Sequence, residues 1–149
     1  MSLSTHCVIK DSRLYAGHVG DSRLYLLRKC RLKRITKDHS LVQDLIDKGF
    51  YTETEARNAS INHVVTRALG TSAEVEVDIL QQNAEEGDVF LLCSDGLSDM
   101  ISDPIMQQVL ARPNASLEVK ARRLVDLANH FGGKDNISVI LIRVESLAN

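Results

Sequence analysis

Val89-Phe90-Leu91-Leu92-Cys93-Ser94-Asp95-Gly96-Leu97-Ser98-Asp99 is the stretch from which the rest of the chain can be read. Gly87-Asp88 ahead of it is a turn signal. Val89–Cys93 is a short, unbroken apolar run, which suits a strand buried on both faces. The run stops at Ser94-Asp95-Gly96, so a carboxylate stands at the end of a rigid strand. Gly96 beside it lets other backbone or a ligand come close. Such a position suits a metal ion; the plainer alternative is an aspartate that closes a turn.

The chain has 149 residues, a length that suits one domain. It is 44% hydrophobic, enough for a core, and has no Trp. Its net charge of −2 gives no general argument for nucleic acid or a membrane surface. No apolar run approaches the roughly 20 residues of a membrane helix, and no signal peptide is visible. Cys7, Cys30 and Cys93 are odd in number and widely spaced, which reads as reduced thiols in a cytoplasmic protein, not as a disulfide or zinc framework.

The N-terminal region reads as antiparallel hairpins. Cys7-Val8-Ile9 is a strand core, and Arg13 begins the returning strand, with Leu14 and Ala16 on one face and Tyr15 on the other. Gly17 and Gly20 bracket the next piece, and Asp21 sits where the backbone must bend. The basic cluster of residues 28–37 reads as a hairpin with solvated charges, Leu32 and Arg34 on opposite faces; a phosphate or acidic-partner patch is the alternative.

A helical interlude follows. Ser40 caps a helix that stops at Gly49, and Thr52 with Glu55 forms a capping box for a second one. Together they read as an excursion over a sheet, flanked by His39 and His63, either of which is a possible substrate contact. Residues 64–70 are expected to return to strand. Residues 75–79 alternate, with Val75, Val77 and Ile79 inward. A helix opens at Ser102 with Pro104 in its first turn, and a longer one starts at Ser116, with Leu117, Ala121, Leu124, Val125, Ala128 and Phe131 on one face. Residues 137–142 read as a last, deeply buried strand.

Asp135 sits just before that last strand and Asp95 just after the organising one. If the two strands are antiparallel neighbours, both carboxylates meet at one rim of the sheet. Asp21 stands at a third strand bend. Three such carboxylates suit hard divalent cations, Mg²⁺ or Mn²⁺, and would repel one another without them.

Gly20-Asp21-Ser22-Arg23, Ser94-Asp95-Gly96-Leu97-Ser98-Asp99 and Asp135-Asn136 occur in the order and rough spacing of the PP2C (PPM) metal-dependent protein phosphatases. Lys37-Asp38-His39-Ser40-Leu41-Val42 and Thr66-Arg67-Ala68-Leu69-Gly70 resemble the bacterial serine/threonine branch. The resemblance covers essentially the whole chain, 1–149, as a single partial domain. It implies an α+β fold, an α-β-β-α sandwich of two antiparallel sheets. It matches Asp95 and Asp135 to ligands of a binuclear Mn²⁺/Mg²⁺ centre, and Asp21 to a ligand of a third, weaker metal that Asp95 would share. It matches residues 39–64 to a flap beside the active site. The implied reaction is hydrolysis of phosphoserine or phosphothreonine proteins by metal-activated water, the substrates being those of a cognate serine/threonine kinase.

The family also has a phosphate-binding arginine, an acidic pair and an Asp-Gly-x-Gly-Gly segment with a metal-bridging aspartate, none of which is in this sequence. The expectation is therefore an N-terminally truncated domain that binds Mn²⁺ weakly, is inactive alone, and self-associates through exposed sheet edges. A catalytically inactive PP2C-like binding or regulatory module is the alternative. A carboxylate-based nuclease would need a basic track, which only residues 28–37 offer.

Overall fold

The structure is a computed structural model that describes residues 4–57, 64–70 and 73–146. Among the described residues, seven strands form two antiparallel sheets. One has the order β1 (Ser4–Lys10), β2 (Arg13–Val19), β5 (Asp78–Asn83). The other has the order β4 (Arg31–Arg34), β3 (Arg23–Arg28), β6 (Val89–Cys93), β7 (Val139–Arg143). The α+β sandwich expected from the sequence is the architecture observed.

β6 is the organising strand. All five of its residues are buried, and both its edges are bonded, to β3 on one side and β7 on the other. Its alternate side chains feed two cores. Phe90 and Leu92 point between the sheets, where they meet Leu14 and Ala16 of β2 and Leu24 and Leu26 of β3. Val89, Leu91 and Cys93 face outward onto a helical layer. That layer consists of α3 (Asp95–Ser98), α4 (Asp103–Leu110) and α5 (Leu117–His130). Leu97, Met106, Leu110, Leu124 and Ala128 are its buried contacts. Each fully buried large apolar side chain contributes about 1.5–3 kcal/mol.

The expected caps are in place. Ser40 accepts from the Gln43 N–H and opens α1 (Leu41–Asp47). Thr52 and Glu55 exchange hydrogen bonds at the start of α2 (Glu53–Arg57), the reciprocal capping box. Ser116 caps α5 through the Val119 N–H.

Several sequence expectations need correction. Residues 64–70 form no strand: Val65 makes one isolated bridge to Ser40, because this segment spends its backbone bonds on the root of α1 (Thr66 N–H to His39 O, Leu41 N–H to Val64 O). The alternation around β5 is in the opposite phase. Ile79 is 74% exposed, while Leu80 turns inward opposite Ala16. The inner face is set by β2, and on the outer face Ile79 lies over Gly17, which has no side chain to cover it. The last strand is not deeply buried. β7 is an edge strand bonded only to β6, and Ile140 is 59% exposed. Val8, Ile9 and Phe131 are exposed as well. Leu32 and Arg34 share one half-buried face, as the two-residue period of a strand requires.

The basic cluster is half paired and half solvated, with Lys29, Arg31 and Lys33 exposed. Arg28 bonds the buried Asp88 and also reaches Glu85, Arg34 bonds Gln43, and Lys37 bonds Asp47. The sequence did not suggest that Lys120 is buried. Its ammonium donates to the Leu110 carbonyl at 2.7 Å and ties α5 to the end of α4.

Gly96 has backbone against it. A Cβ there would lie 2.4 Å from the Asn136 carbonyl oxygen and 3.1 Å from that of Asp135. Gly96→Ala is therefore expected to destabilise the fold by about 1–3 kcal/mol. A lower denaturant midpoint with an unchanged slope is the outcome that urea unfolding should record.

Candidate metal centre

The three predicted carboxylates leave the same end of the four-stranded sheet. Arg23 pairs with Cys93, so Asp21, just ahead of β3, lies beyond the end of β6 beside Ser94 and Asp95. Cys93 pairs with Val139, so Asp135, just ahead of β7, reaches the same end. Ser94 fastens this corner. Its hydroxyl donates to Asn136 O at 2.8 Å and accepts from Ser138 N–H at 3.0 Å, and its own N–H donates to Ser138 O.

Asp21, Asp95 and Asp135 all line one cavity of about 740 Å³. Asp38, Asp99 and Asp103 share it, with Arg23, Arg34 and Lys134 as the cations. Val42, Gln43 and Ile46 of α1 and Ala56 of α2 line it as well, so the flap helices form part of the wall. Two of the cations are engaged by Asp38. Arg23 binds Asp38 with Nη2–Oδ2 at 2.6 Å, and Arg34 approaches the same carboxylate at 3.9 Å.

Asp21 is the unusual group. Its Oδ1 is buried and has no hydrogen-bond partner. Burial, and then the neighbouring charge of Asp95, push its carboxyl up from 3.8 to about 6. Asp95 and Asp135 each spend Oδ1 on the next residue's N–H, at 2.8 and 2.7 Å, and among the described residues nothing bonds the other oxygen. Among the described residues no three His, Cys, Asp or Glu side chains close tightly enough on one point to make a finished cage. The donor set is nonetheless all oxygen, and it contains a buried oxygen with nothing to bind. That fits hard divalent cations that retain several waters.

His39 is only 6% exposed and does not line the cavity; its ring bonds Gly20 and Asp78 instead. His63 lies outside the described residues. Cys93 is in the core, and burial pushes its thiol up to about 12, which rules out a standing thiolate nucleophile. Sequence reasoning missed Asp38, Asp99 and Asp103 as cavity residues. Asp38 was legible only as part of a motif, with no sign that Arg23 is its partner.

Residues 2–137 match the family model for protein phosphatase 2C. The chain belongs to the protein phosphatase 2C family. It is 42% identical over 140 residues to the serine/threonine protein phosphatase PstP of Mycobacterium tuberculosis, covering 94% of this chain and 27% of that protein. It is 38% identical over 135 residues to the serine/threonine phosphatase stp of Listeria welshimeri, covering 91% of this chain and 53% of that protein. Its fold matches the crystal structure of M. tuberculosis PstP/Ppp with a TM-score of 0.91 at 41% identity, over 97% of this chain and 60% of that one. It also matches the PstP catalytic domain in complex with two manganese ions, with a TM-score of 0.85 at 39% identity, over 97% of this chain and 59% of that one. The chain spans from about a quarter to just over half the length of the curated relatives it matches.

In this PP2C-family chain the raised carboxyl of Asp21 has a consequence for stability. The folded state holds its proton to higher pH than the unfolded state, so stability falls as pH rises from 3.8 to about 6 and the penalty is complete above that. Asp21→Asn removes the charge. Unfolding midpoints across a pH series are expected to match near the acid end, separate in favour of the variant through this window, and stay separated above it.

Proposed function

We propose that the chain provides the carboxylate face of a metal-dependent protein serine/threonine phosphatase, with Asp21, Asp95 and Asp135 as ligands for two to three Mn²⁺ or Mg²⁺ ions. The supporting observation is the buried, unpartnered oxygen of Asp21 in a cavity shared with Asp95 and Asp135. When bound, the cations supply the Lewis-acid chemistry that turns water into a nucleophile and neutralises phosphoryl charge. The reaction is hydrolysis of a phosphoserine or phosphothreonine ester. The substrates are phosphoproteins, products of a cognate serine/threonine kinase, and the setting is cytoplasmic, in keeping with three free thiols.

The chain's own residues hold and shape the site. Ser94 locks the ends of β6 and β7 together, so Asp95 and Asp135 keep their spacing. Val42 and Ile46 give the flap side of the cavity an apolar surface against which a peptide can lie. No protein nucleophile is required, in agreement with the buried Cys93. The flap is the part that α1 and α2 build against the cavity.

Because no three donors among the described residues already converge, the chain alone is expected to bind Mn²⁺ weakly and to hydrolyse p-nitrophenyl phosphate negligibly. Adding Mn²⁺ should still broaden the nuclear-resonance signals of Asp21, Asp95 and Asp135 before others. Absence of any such preference would overturn the site, and tight binding of two ions or rapid turnover would overturn its incompleteness.

A second property follows from the outer face of the three-stranded sheet, which exposes Val8, Val77 and Ile79. Exposed apolar surface of this kind recruits other surfaces. Sedimentation at micromolar concentration is expected to show self-association of the chain, and Ile79→Lys to shift it toward monomer.

A further inference from the structure

The turn that carries Asp21 is gripped on both sides by two consecutive residues. On one side Arg23 is held by Asp38, through Nε at 3.0 and 3.1 Å to the two oxygens and through Nη2 at 2.6 Å. On the other side Gly20 is held twice by His39. The His39 backbone N–H donates to the Gly20 carbonyl at 2.8 Å, and the Gly20 N–H donates to the His39 ring at Nδ1, 3.1 Å away.

This second bond assigns the tautomer. A ring nitrogen that accepts from a backbone N–H carries no proton, so the proton of the neutral ring is on Nε2. Nε2 faces Asp78 Oδ2 at 3.0 Å, and it donates there. The other oxygen of Asp78 accepts from Arg67 Nη1 at 3.0 Å. A continuous chain of bonds thus runs from Arg67 through Asp78 and His39 to the residue before Asp21. The segment that bears His39 is itself fixed, because the buried His18 bonds the Lys37 carbonyl at 2.9 Å through Nε2, and the His18 and His39 rings lie 4.8 Å apart.

Gly20 needs such a restraint. Its φ of 110° is a conformation that side-chain residues rarely adopt. Glycine permits that geometry but does nothing to hold it. Beside it, Asp21 keeps a buried Oδ1 with no hydrogen-bond partner, so no bond at that atom fixes its direction.

We propose that His39, oriented by Asp78 and Arg67, is a positioning residue that fixes the peptide ahead of Asp21 and so aims the Asp21 carboxylate into the cavity at a bound cation. The aiming rests on the reading of Asp21 as a metal ligand, whereas the grip on Gly20 does not. Groups that stand behind a metal ligand set its direction, and their loss commonly weakens binding by about 10–100-fold.

Two substitutions separate the two halves of the grip. His39→Asn keeps an acceptor near the place of Nδ1 and gives up the reach to Asp78. His39→Gln places its amide near Nε2 and gives up the acceptor for Gly20. The measurements, on the full chain, are amide hydrogen exchange at Gly20 and the Mn²⁺ concentration that half-broadens the Asp21 signal. His39→Gln is expected to speed Gly20 exchange and raise that concentration by about tenfold. His39→Asn, which keeps the acceptor but loses the Asp78 support, is expected to fall between the unaltered chain and His39→Gln in both measurements. Asp78→Asn, at a side chain 37% exposed where a change of fold is less of a risk, should act in the same direction as His39→Gln.

If both His39 variants change exchange and Mn²⁺ response alike, in step with melting temperature, the residue is only structural and the proposal is overturned. Unchanged Gly20 exchange in His39→Gln overturns it too. If Mn²⁺ broadens nothing near Asp21 even in the unaltered chain, the metal reading has failed and the aiming role goes with it. Gly20 exchange then still decides whether His39 grips the turn.

Discussion

Antiparallel pairing on both edges of β6 is the constraint from which the rest of the structure follows. A strand bonded on both edges and buried on both faces has no freedom to slip, since a one-residue shift would exchange its two cores. That register carries the start of β3 and the start of β7 to the end of β6. Three aspartates from distant parts of the sequence thereby reach one cavity. The electrostatic cost falls on Asp21, which is buried and close to Asp95. The two apolar cores that flank β6 oppose that cost, each with several wholly buried large side chains.

The flap and the acidic corner share an anchor. Lys37, Asp38 and His39 are each bonded to a different part of the two sheets or the turn between them, and α1 begins two residues after His39. Ser40 then closes the segment, capping α1 with its side chain while its backbone bridges to Val65. The helices that line one side of the cavity therefore grow from the same few residues that fix its acidic side.

Much of this was legible in the sequence, for local reasons. Val89–Cys93 suited a strand buried on both faces, and Asp95 and Asp135 stood out because they flank such apolar runs. Ser40, Thr52 and Ser116 announced their helices through cap chemistry that acts over three residues. Expectations failed where the answer lay in a distant partner. Ile79 could face either way until its pairing opposite Gly17 was known, and the last apolar run could not reveal that it lies on an edge. The roles of His39 and Asp38 were hidden for the same reason. Their meaning depends on Gly20, Arg23 and Asp78, which converge from separate segments and leave no local pattern.

Lys120 carries one more consequence. The residue is 6% exposed, its ammonium is bonded to the last turn of α4, and burial, with Arg143 nearby as a lesser cause, lowers its affinity for a proton. A lowered pKa alone would make it a better nucleophile toward amine-directed reagents. Its bond to the Leu110 carbonyl and the low exposure of the residue act against that while α4 and α5 are in contact. Labelling of this lysine is thus favoured when the two helices part, and its rate serves as a clock for opening of the helical layer.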